Sequence, residues 1–539
     1  MKTKIHSSLI VLFLIISMAL VYFIMPVFSV KFYSFYIVFI VIAIFISIIL
    51  TIDRTINKKK INFKIWALPV ILIGLLFFMF IITLPIFRSN SYKKLLPTPK
   101  YEEFSKNITP IDIKEIPTVN QKYAELLADK KLGEETSLGS RVELGDLTLQ
   151  NVNGKLYYVA PLIHSGFMKW ILNDSTPGYI TVSATNDKDV KLVTKLNGKD
   201  IKIRYQPSGF FNHDLKRHIY LRGTINKGIS DLTFELDDKG NPYYTTTIYE
   251  NKVGMSGHKS VGTAVVNPET GEIKKYTVEN TPKWVDRIQP QSFVENNLKK
   301  WGKYIKGFFN FSGQDKLKTT EGTGVIYNNG KCYYYTGLTS VGKDESSIGF
   351  ALIDTRTQQT RIFKIAGATE TASMKSAEGK VQNLGYTATF PILINVDNVP
   401  TYFTTLNDKN DLTKMFAMIS VTDYNIIGTG ENITECKSNY IKNLASKGNL
   451  VSVGSIGKEE NVTDTIERIN SYVVGNSTIY TFILKDHKDK IFNAGISISN
   501  ELPITKEEDK VNIRYVDTKQ DIINITSFDN MLFNQQGNK

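Results

Sequence analysis

The hydrophobic pattern of this chain changes character near residue 87. Before that point Ile, Leu, Val, Phe and Met run almost unbroken, and after it short apolar stretches alternate with polar turns. Three apolar runs, Ser8–Val27, Phe32–Ile52 and Trp66–Phe87, each reach the roughly 20 residues a membrane-spanning helix requires. The first follows Lys2 and Lys4 as a signal peptide would. No small-x-small cleavage site precedes the second run, so it reads as a retained anchor. Residues 1–87 are therefore expected to form a bundle of about three transmembrane helices.

Residues 88–113, with Pro97, Pro99 and Pro110, suggest an extended stalk. From 114 to 430 one pattern recurs four times. A turn marked by Gly or Asn leads into an aromatic strand, and a second, largely apolar strand closes on an Asp/Asn-Thr turn. The first strands carry Tyr157-Tyr158, Tyr243-Tyr244, Tyr333-Tyr334-Tyr335 and Tyr402-Phe403. The second strands are Gly178–Thr185, Gly262–Gly271, Gly349–Thr357 and Met415–Asp423. Helical spacing of apolar residues precedes each copy, at Gln121–Lys131, His213–Tyr220, Phe293–Phe308 and Thr371–Gln382. A helix plus an antiparallel hairpin cannot bury its apolar face alone, whereas four stacked units can.

The order of helix, aromatic strand and a strand closing on Asn267-Pro268-Glu269-Thr270-Gly271 resembles the PepSY domain, a small exported bacterial module. Pro242–Val278 is the copy most similar to it; the others are looser, and the first carries a long insertion containing Trp170. The resemblance implies binding or inhibition of a partner rather than catalysis.

Residues 431–460 read as a polar helix or linker, with Lys447-Gly448-Asn449 expected to end the helix. Five strands follow within 461–530, from Thr463–Val474 to Ile522–Phe528 with a turn at Gly475-Asn476, ahead of a short tail, 531–539. Their order resembles an OB-fold, a small β-barrel that often binds through stacked aromatics. Alternation places Tyr480 and Phe482 on one side of a strand, either as such a face, together with Tyr472 and Tyr515, or as barrel filling. The expected class is thus α+β: transmembrane anchor, repeated helix-plus-β-hairpin units and a C-terminal β-barrel.

Charge sets the orientation. The net charge is +13, and residues 1–87 hold eight Lys and Arg against Asp53 alone, so over half of the excess lies at the membrane edge. Arg54, Lys58, Lys59, Lys60 and Lys64 crowd the second loop while the first has only Lys31. The positive-inside bias then puts the N-terminus in the cytoplasm and, with an odd number of spans, the C-terminal bulk outside; Arg88, Lys93 and Lys94 oppose this only mildly. The ectodomain is too weakly basic, and lacks the aromatic-basic stripe, for nucleic-acid binding.

Catalytic signatures are missing. There is no Gly-x-Ser-x-Gly elbow, His-Glu-x-x-His helix or phosphate loop. Ser340-Val341-Gly342-Lys343 matches Ser-x-x-Lys, but its companion elements are missing. His213 and His218 are spaced for different helical faces, and Asp237-Asp238 and Asp344-Glu345 sit where solvated turns are expected. Two cysteines, Cys332 and Cys436, give neither a disulfide framework nor a zinc site. Neither cofactor nor metal is implied. The leading expectation is a bacterial envelope module that binds or assembles with a protein or peptide partner beside the lipid bilayer. Trp284, Trp301, Tyr480 and Phe482 are the candidate binding surface, although Trp284 and Trp301 also suit a role in locking neighbouring units. The alternatives are an envelope hydrolase with an unrecognised site and a structural subunit of a larger envelope machine.

Overall fold

The computed structural model describes the chain except residues 1, 61, 110–114, 136, 341–346, 447–458, 475–476, 497, 517–521 and 535–539. The Ser-x-x-Lys match, Asp344-Glu345, Lys447-Gly448-Asn449, the Gly475-Asn476 turn and most of the tail fall largely or wholly outside these residues. The fold is mixed α+β and divides into two compact units. The first comprises Met1–Tyr101, Val119–Asp344 and Phe350–Ile362; the second comprises Glu102–Thr118, Glu345–Gly349 and Phe363–Lys539.

The first unit opens with helices α1 (Lys2–Ile24), α2 (Tyr33–Ile56), α3 (Ala67–Thr83) and α4 (Pro85–Lys93). Two segments, Tyr33–Ile56 and Phe63–Thr83, are long and apolar enough to cross a membrane; α1 contributes a shorter described apolar stretch, Ile15–Ile24. The third apolar run does not continue as one helix to Phe87. It breaks at Leu84 (φ −58°, ψ 140°), because the ring of Pro85 excludes helical geometry from the residue before it. The segment expected to be a stalk is packed rather than free: Leu95 and Leu96 are buried, and Lys100–Glu102 forms a strand. In the second unit Phe104 and Ile108, at either end of α5 (Phe104–Asn107), are buried as well.

The four sequence copies become four antiparallel meanders, each preceded by a helix: α6 (Gln121–Gly133), later α8 (Leu215–Ile219), α9 (Gln291–Lys303) and α10 (Glu370–Lys380). A short helix, α7 (Phe167–Leu172), lies in the insertion of the first copy. The long aromatic strands are Lys155–His164, Pro242–Val253, Lys331–Ser340 and Val399–Asn407, each flanked on one side by the second strand read from the sequence. On the other side the strand is interrupted in every copy. In copies one, three and four it is split into two pieces that pair with the same neighbour. In copy two it is continuous but bulged, with Asp231 and Leu232 opposite one residue and Asp231 at φ 53°.

Local chemistry explains the turns. Asn153-Gly154, Asn329-Gly330 and Asp397-Asn398 all have positive φ at both positions, the tight hairpin geometry whose twist matches that of the strands. After each second strand an Asx side chain caps the backbone: Asn186, Asn267, Asp354 and Asp423 accept from amides two or three residues on, at 2.8–3.1 Å.

A further repeat is invisible in side chains. Ahead of each helix, immediately in copies one, three and four and about ten residues upstream in copy two, a backbone N–H donates to the carbonyl at the end of that copy's second strand. The pairs are Val119 to Ala184 (3.0 Å), Arg204 and Tyr205 to Pro268 (both 2.9 Å), Ile288 and Gln289 to Thr355 (3.0 and 2.8 Å), and Ala368 to Val421 (2.8 Å). This latch fixes where each helix enters relative to its sheet.

In the second unit α11 (Ile433–Ser446) packs Cys436, Tyr440 and Leu444 on the fourth sheet. A Cβ at Gly428 would lie 2.1 Å from the Tyr440 nitrogen, so only glycine permits this approach. Five strands, Glu459–Val474, Ser477–Leu484, His487–Gly495, Lys510–Val516 and Ile522–Asn530, close a barrel in the order first, second, third, fifth, fourth. The third and fifth run parallel. The last described helix, α12 (Met531–Asn534), follows the barrel.

At Gly271 (φ +73°) a Cβ would meet the Tyr205 ring at 2.5 Å, whereas at Gly154 (φ +82°) it would meet nothing. Gly271→Ala is therefore expected to destabilise by about 2–3 kcal/mol and Gly154→Ala by about 1 kcal/mol. Thermal unfolding of the detergent-solubilised protein checks the order of the two midpoints.

Candidate interaction surface

The segment Thr281–Gln289, between the second meander and α9, contacts three sheets of the first unit. Toward the first sheet, Asp286 Oδ2 accepts from the Asn151 N–H at 2.8 Å, and the Arg287 guanidinium donates to the Leu149 carbonyl. Toward the second, the Thr247 hydroxyl donates to the Ile288 carbonyl at 2.7 Å. Toward the third, the Tyr327 hydroxyl lies 3.0 Å from Asp286 Oδ2, Thr355 donates to the Asp286 carbonyl at 2.6 Å, and the Tyr334 hydroxyl donates to the Gln289 carbonyl at 3.1 Å. Arg356 closes the other end, donating to the carbonyls of Thr281 (2.7 Å), Pro282 (2.9 Å) and Val285. Most of this strap's polar groups thus point at backbone or at residues of neighbouring sheets.

Burial makes the cluster sensitive to protonation. Glu235 is 2% exposed; desolvation, with the Asp286 carboxylate nearby, pushes it up to about 7. Thr245 and Thr233 donate to its Oε1 at 2.9 and 3.1 Å, while its buried Oε2 has no hydrogen-bond partner among the described residues. Burial also holds Asp286 above the usual carboxylate range, against the pull of its Asn151 and Tyr327 donors. Burial pushes the Cys332 thiol up to about 11 and the Cys436 thiol up to about 12. Both cysteines are free and buried, so both are neutral and poor nucleophiles.

Of the predicted surface residues, Trp284 is half-buried and stacks on Tyr243, with ring centroids 5.1 Å apart and planes at 28°. Tyr243 also lines a cleft of about 290 Å3 formed by the Asn197-Gly198 hairpin, the Asn241-Pro242 approach and the Asn267-Pro268-Glu269 turn. Trp301 is core, packed with Leu96, Val294 and Leu298. Phe482 is 1% exposed and fills the barrel with Phe492, Tyr515 and Phe528. Tyr480 is half-buried against that same cluster, and Tyr472 is exposed. Trp284 thus reaches this cleft only through Tyr243, which lines it and which the sequence did not single out as a surface residue. The aromatic pair Tyr243-Tyr244 marked a strand in the sequence, but its neighbour across space could not be read there.

His218 and His258 serve packing. His218 Nε2 donates to the Gly271 carbonyl at 2.7 Å, and His258 Nδ1 donates to Asn251 Oδ1 at 2.6 Å. Asn251 in turn donates to the Lys31 carbonyl, in the loop between α1 and α2, at 2.8 Å. Nearby, Phe32 packs on Tyr249, and the Met255 N–H donates to Thr83 Oγ1 at the end of α3 at 3.0 Å. The α1–α2 loop and the end of α3 therefore meet the same sheet. Among the described residues no His, Cys, Asp and Glu cluster could hold a metal ion.

No family model matches the chain, and no curated protein does. A solved structure of a levansucrase variant from B. megaterium aligns at TM-score 0.18 and 9% identity, over 77% of this chain and 96% of that one. That level of similarity carries no argument about fold or activity.

Desolvation lowers His164, His213, His218 and His258 below their ordinary value. The unfolded chain then takes up protons first, so stability falls as pH drops below about 6.5. Glu235 acts oppositely: raised to about 7, it contributes stability in acid that is lost as pH rises through that value. Glu235→Gln should therefore add stability on the order of 2–3 kcal/mol above pH 8, seen as a higher unfolding midpoint, and leave the midpoint nearly unchanged at pH 5. Thermal scans of both proteins from pH 5 to 8.5 check this.

Proposed function

We propose that the chain is a membrane-anchored, extracytoplasmic binding or assembly module of the bacterial cell envelope, working without catalysis. In this reading α1, α2 and α3 form the anchor, the four meanders are PepSY-like units, and the barrel is OB-like. The barrel's strand order, with parallel third and fifth strands, supports the last assignment, and the Asx-capped closing turns support the second.

The observation that carries the reading is the meeting of the α1–α2 loop and the end of α3 with one sheet, through Asn251 with Lys31 and Met255 with Thr83. Spans that cross the bilayer would deliver those two ends to the same face. The basic loop with Arg54 and Lys58–Lys60 then falls at the opposite face, where the positive-inside bias assigns the cytoplasm. Recognition is assigned to the cleft beside Tyr243 and Trp284: stacked aromatics beside exposed amide and turn groups suit an extended peptide segment. The buried, neutral thiols support a role without nucleophilic chemistry.

A photo-crosslinking amino acid at Tyr243, in intact cells, is expected to give one discrete polypeptide adduct that Trp284→Ala weakens at least five-fold. A membrane-impermeant maleimide should label Lys188→Cys in the same cells and Lys59→Cys only after permeabilisation. Absence of any adduct, or the reversed labelling pattern, overturns the proposal.

A further inference from the structure

Two clusters of exposed apolar side chains flank the points where the anchor helices meet the first unit. In the first, α7 leaves Met168 65% and Leu172 71% exposed. Its Phe167 and Trp170 rings stack with centroids 5.8 Å apart and contact Phe211, itself more than half exposed. This cluster adjoins the end of α1: the Arg217 guanidinium donates to the Phe211 carbonyl at 2.8 Å and lies 4.4 Å over the Tyr22 ring, and the Tyr220 hydroxyl donates to the Pro26 carbonyl at 2.6 Å. In the second, Phe309 and Phe311 are 65% and 84% exposed on the loop after α9. That loop adjoins the end of α3: Phe308 stacks on Tyr304, which packs in a cluster with Tyr92, and the Tyr92 hydroxyl donates to the Thr83 carbonyl at 2.8 Å.

Soluble surfaces seldom expose Phe, Met and Leu in groups. Rings of this kind gather at the headgroup level of a bilayer, where an apolar body meets a polar rim. Lys169 on α7 supplies a cation at the rim of the first cluster, while Lys306 beside the second is paired with Asp315 at 2.6 Å. We infer that both clusters are embedded in the lipid leaflet next to the helix ends, so that the first unit rests on the membrane surface at two further points instead of standing away from it. The occupant is lipid because each cluster is continuous with the end of an apolar anchor helix. The inference rests on the anchoring reading and adds a second mode of membrane contact to it.

Single-cysteine labelling tests this in full-length protein reconstituted in phosphatidylglycerol-containing nanodiscs, since the native thiols are buried. An environment-sensitive fluorophore at Leu172→Cys and at Phe311→Cys should emit to the blue and be quenched at least two-fold by doxyl-labelled lipid. The same fluorophore at Lys155→Cys, at the far end of the ten-residue strand leading to α7 and thus roughly 30 Å away, should not be. Phe77→Cys within α3 is the reference. If Phe77 is quenched while Leu172 and Phe311 match Lys155, the two-point contact is overturned and the anchor stands. If Phe77 is not quenched, the anchoring reading falls and takes the inference with it. Blue-shifted emission at Leu172 and Phe311 without lipid quenching means that protein covers them, which also overturns the inference.

Discussion

A carboxylate and a guanidinium adjacent in sequence, Asp286 and Arg287, are placed where three sheets converge, and this placement constrains the whole first unit. A charged group removed from water is tolerated only when its hydrogen-bonding capacity is met. Asp286 Oδ2 takes a backbone N–H from the first sheet and lies against a tyrosine hydroxyl of the third, and the half-buried Arg287 donates to a carbonyl of the first. Sliding one sheet past another would strand at least one of these groups. The apolar contacts around them supply most of the stabilisation, but they are non-directional. The strap's polar groups select one arrangement.

The strap is also a specialised form of something each copy has. In every copy a backbone segment ahead of the helix donates to the carbonyl at the end of the second strand, beside the Asx-capped turn. In the third copy the same turn, Asp354–Gln358, adds the Thr355 hydroxyl and the Arg356 guanidinium, which extend the latch over Thr281–Asp286. In the second copy the Pro268 latch holds Arg204 and Tyr205, and Asn267–Glu269 form one wall of the cleft beside Tyr243. The same local device thus serves cohesion in one copy and borders an open concavity in another. Repeat architectures allow this because each unit depends chiefly on its neighbours.

Much of this organisation was legible in the sequence where local chemistry decides it. Asn153-Gly154 and Asn329-Gly330 marked hairpins because few other pairs accept positive φ at both positions. The helices at Gln121 and Glu370 followed from apolar spacing, the one at Ile433 only as a polar helix or linker, and the five barrel strands from short apolar runs between polar turns. The interruption of each meander's first strand was not legible, since Gly322 or Asp231 reads equally well as an ordinary turn. Nor were the pairing of Trp284 with Tyr243 or the burial of Trp301 and Phe482, because an aromatic side chain's neighbours across space leave no local trace. Nothing in the sequence singles out Glu235; only its burial in the folded unit raises its affinity for protons. The α3 break was legible in principle from Leu84-Pro85, yet hydrophobicity alone runs through it.

The central claim, that Thr281–Gln289 is as firmly held as the sheets it joins, is tested most directly by amide hydrogen exchange in the folded, membrane-reconstituted protein. The Ile288 and Gln289 amides, together with the Asn151 amide bound to Asp286, are predicted to exchange as slowly as those of the central strand Pro242–Val253. Exchange across the strap at the rate of the exposed Lys188 turn would contradict the account.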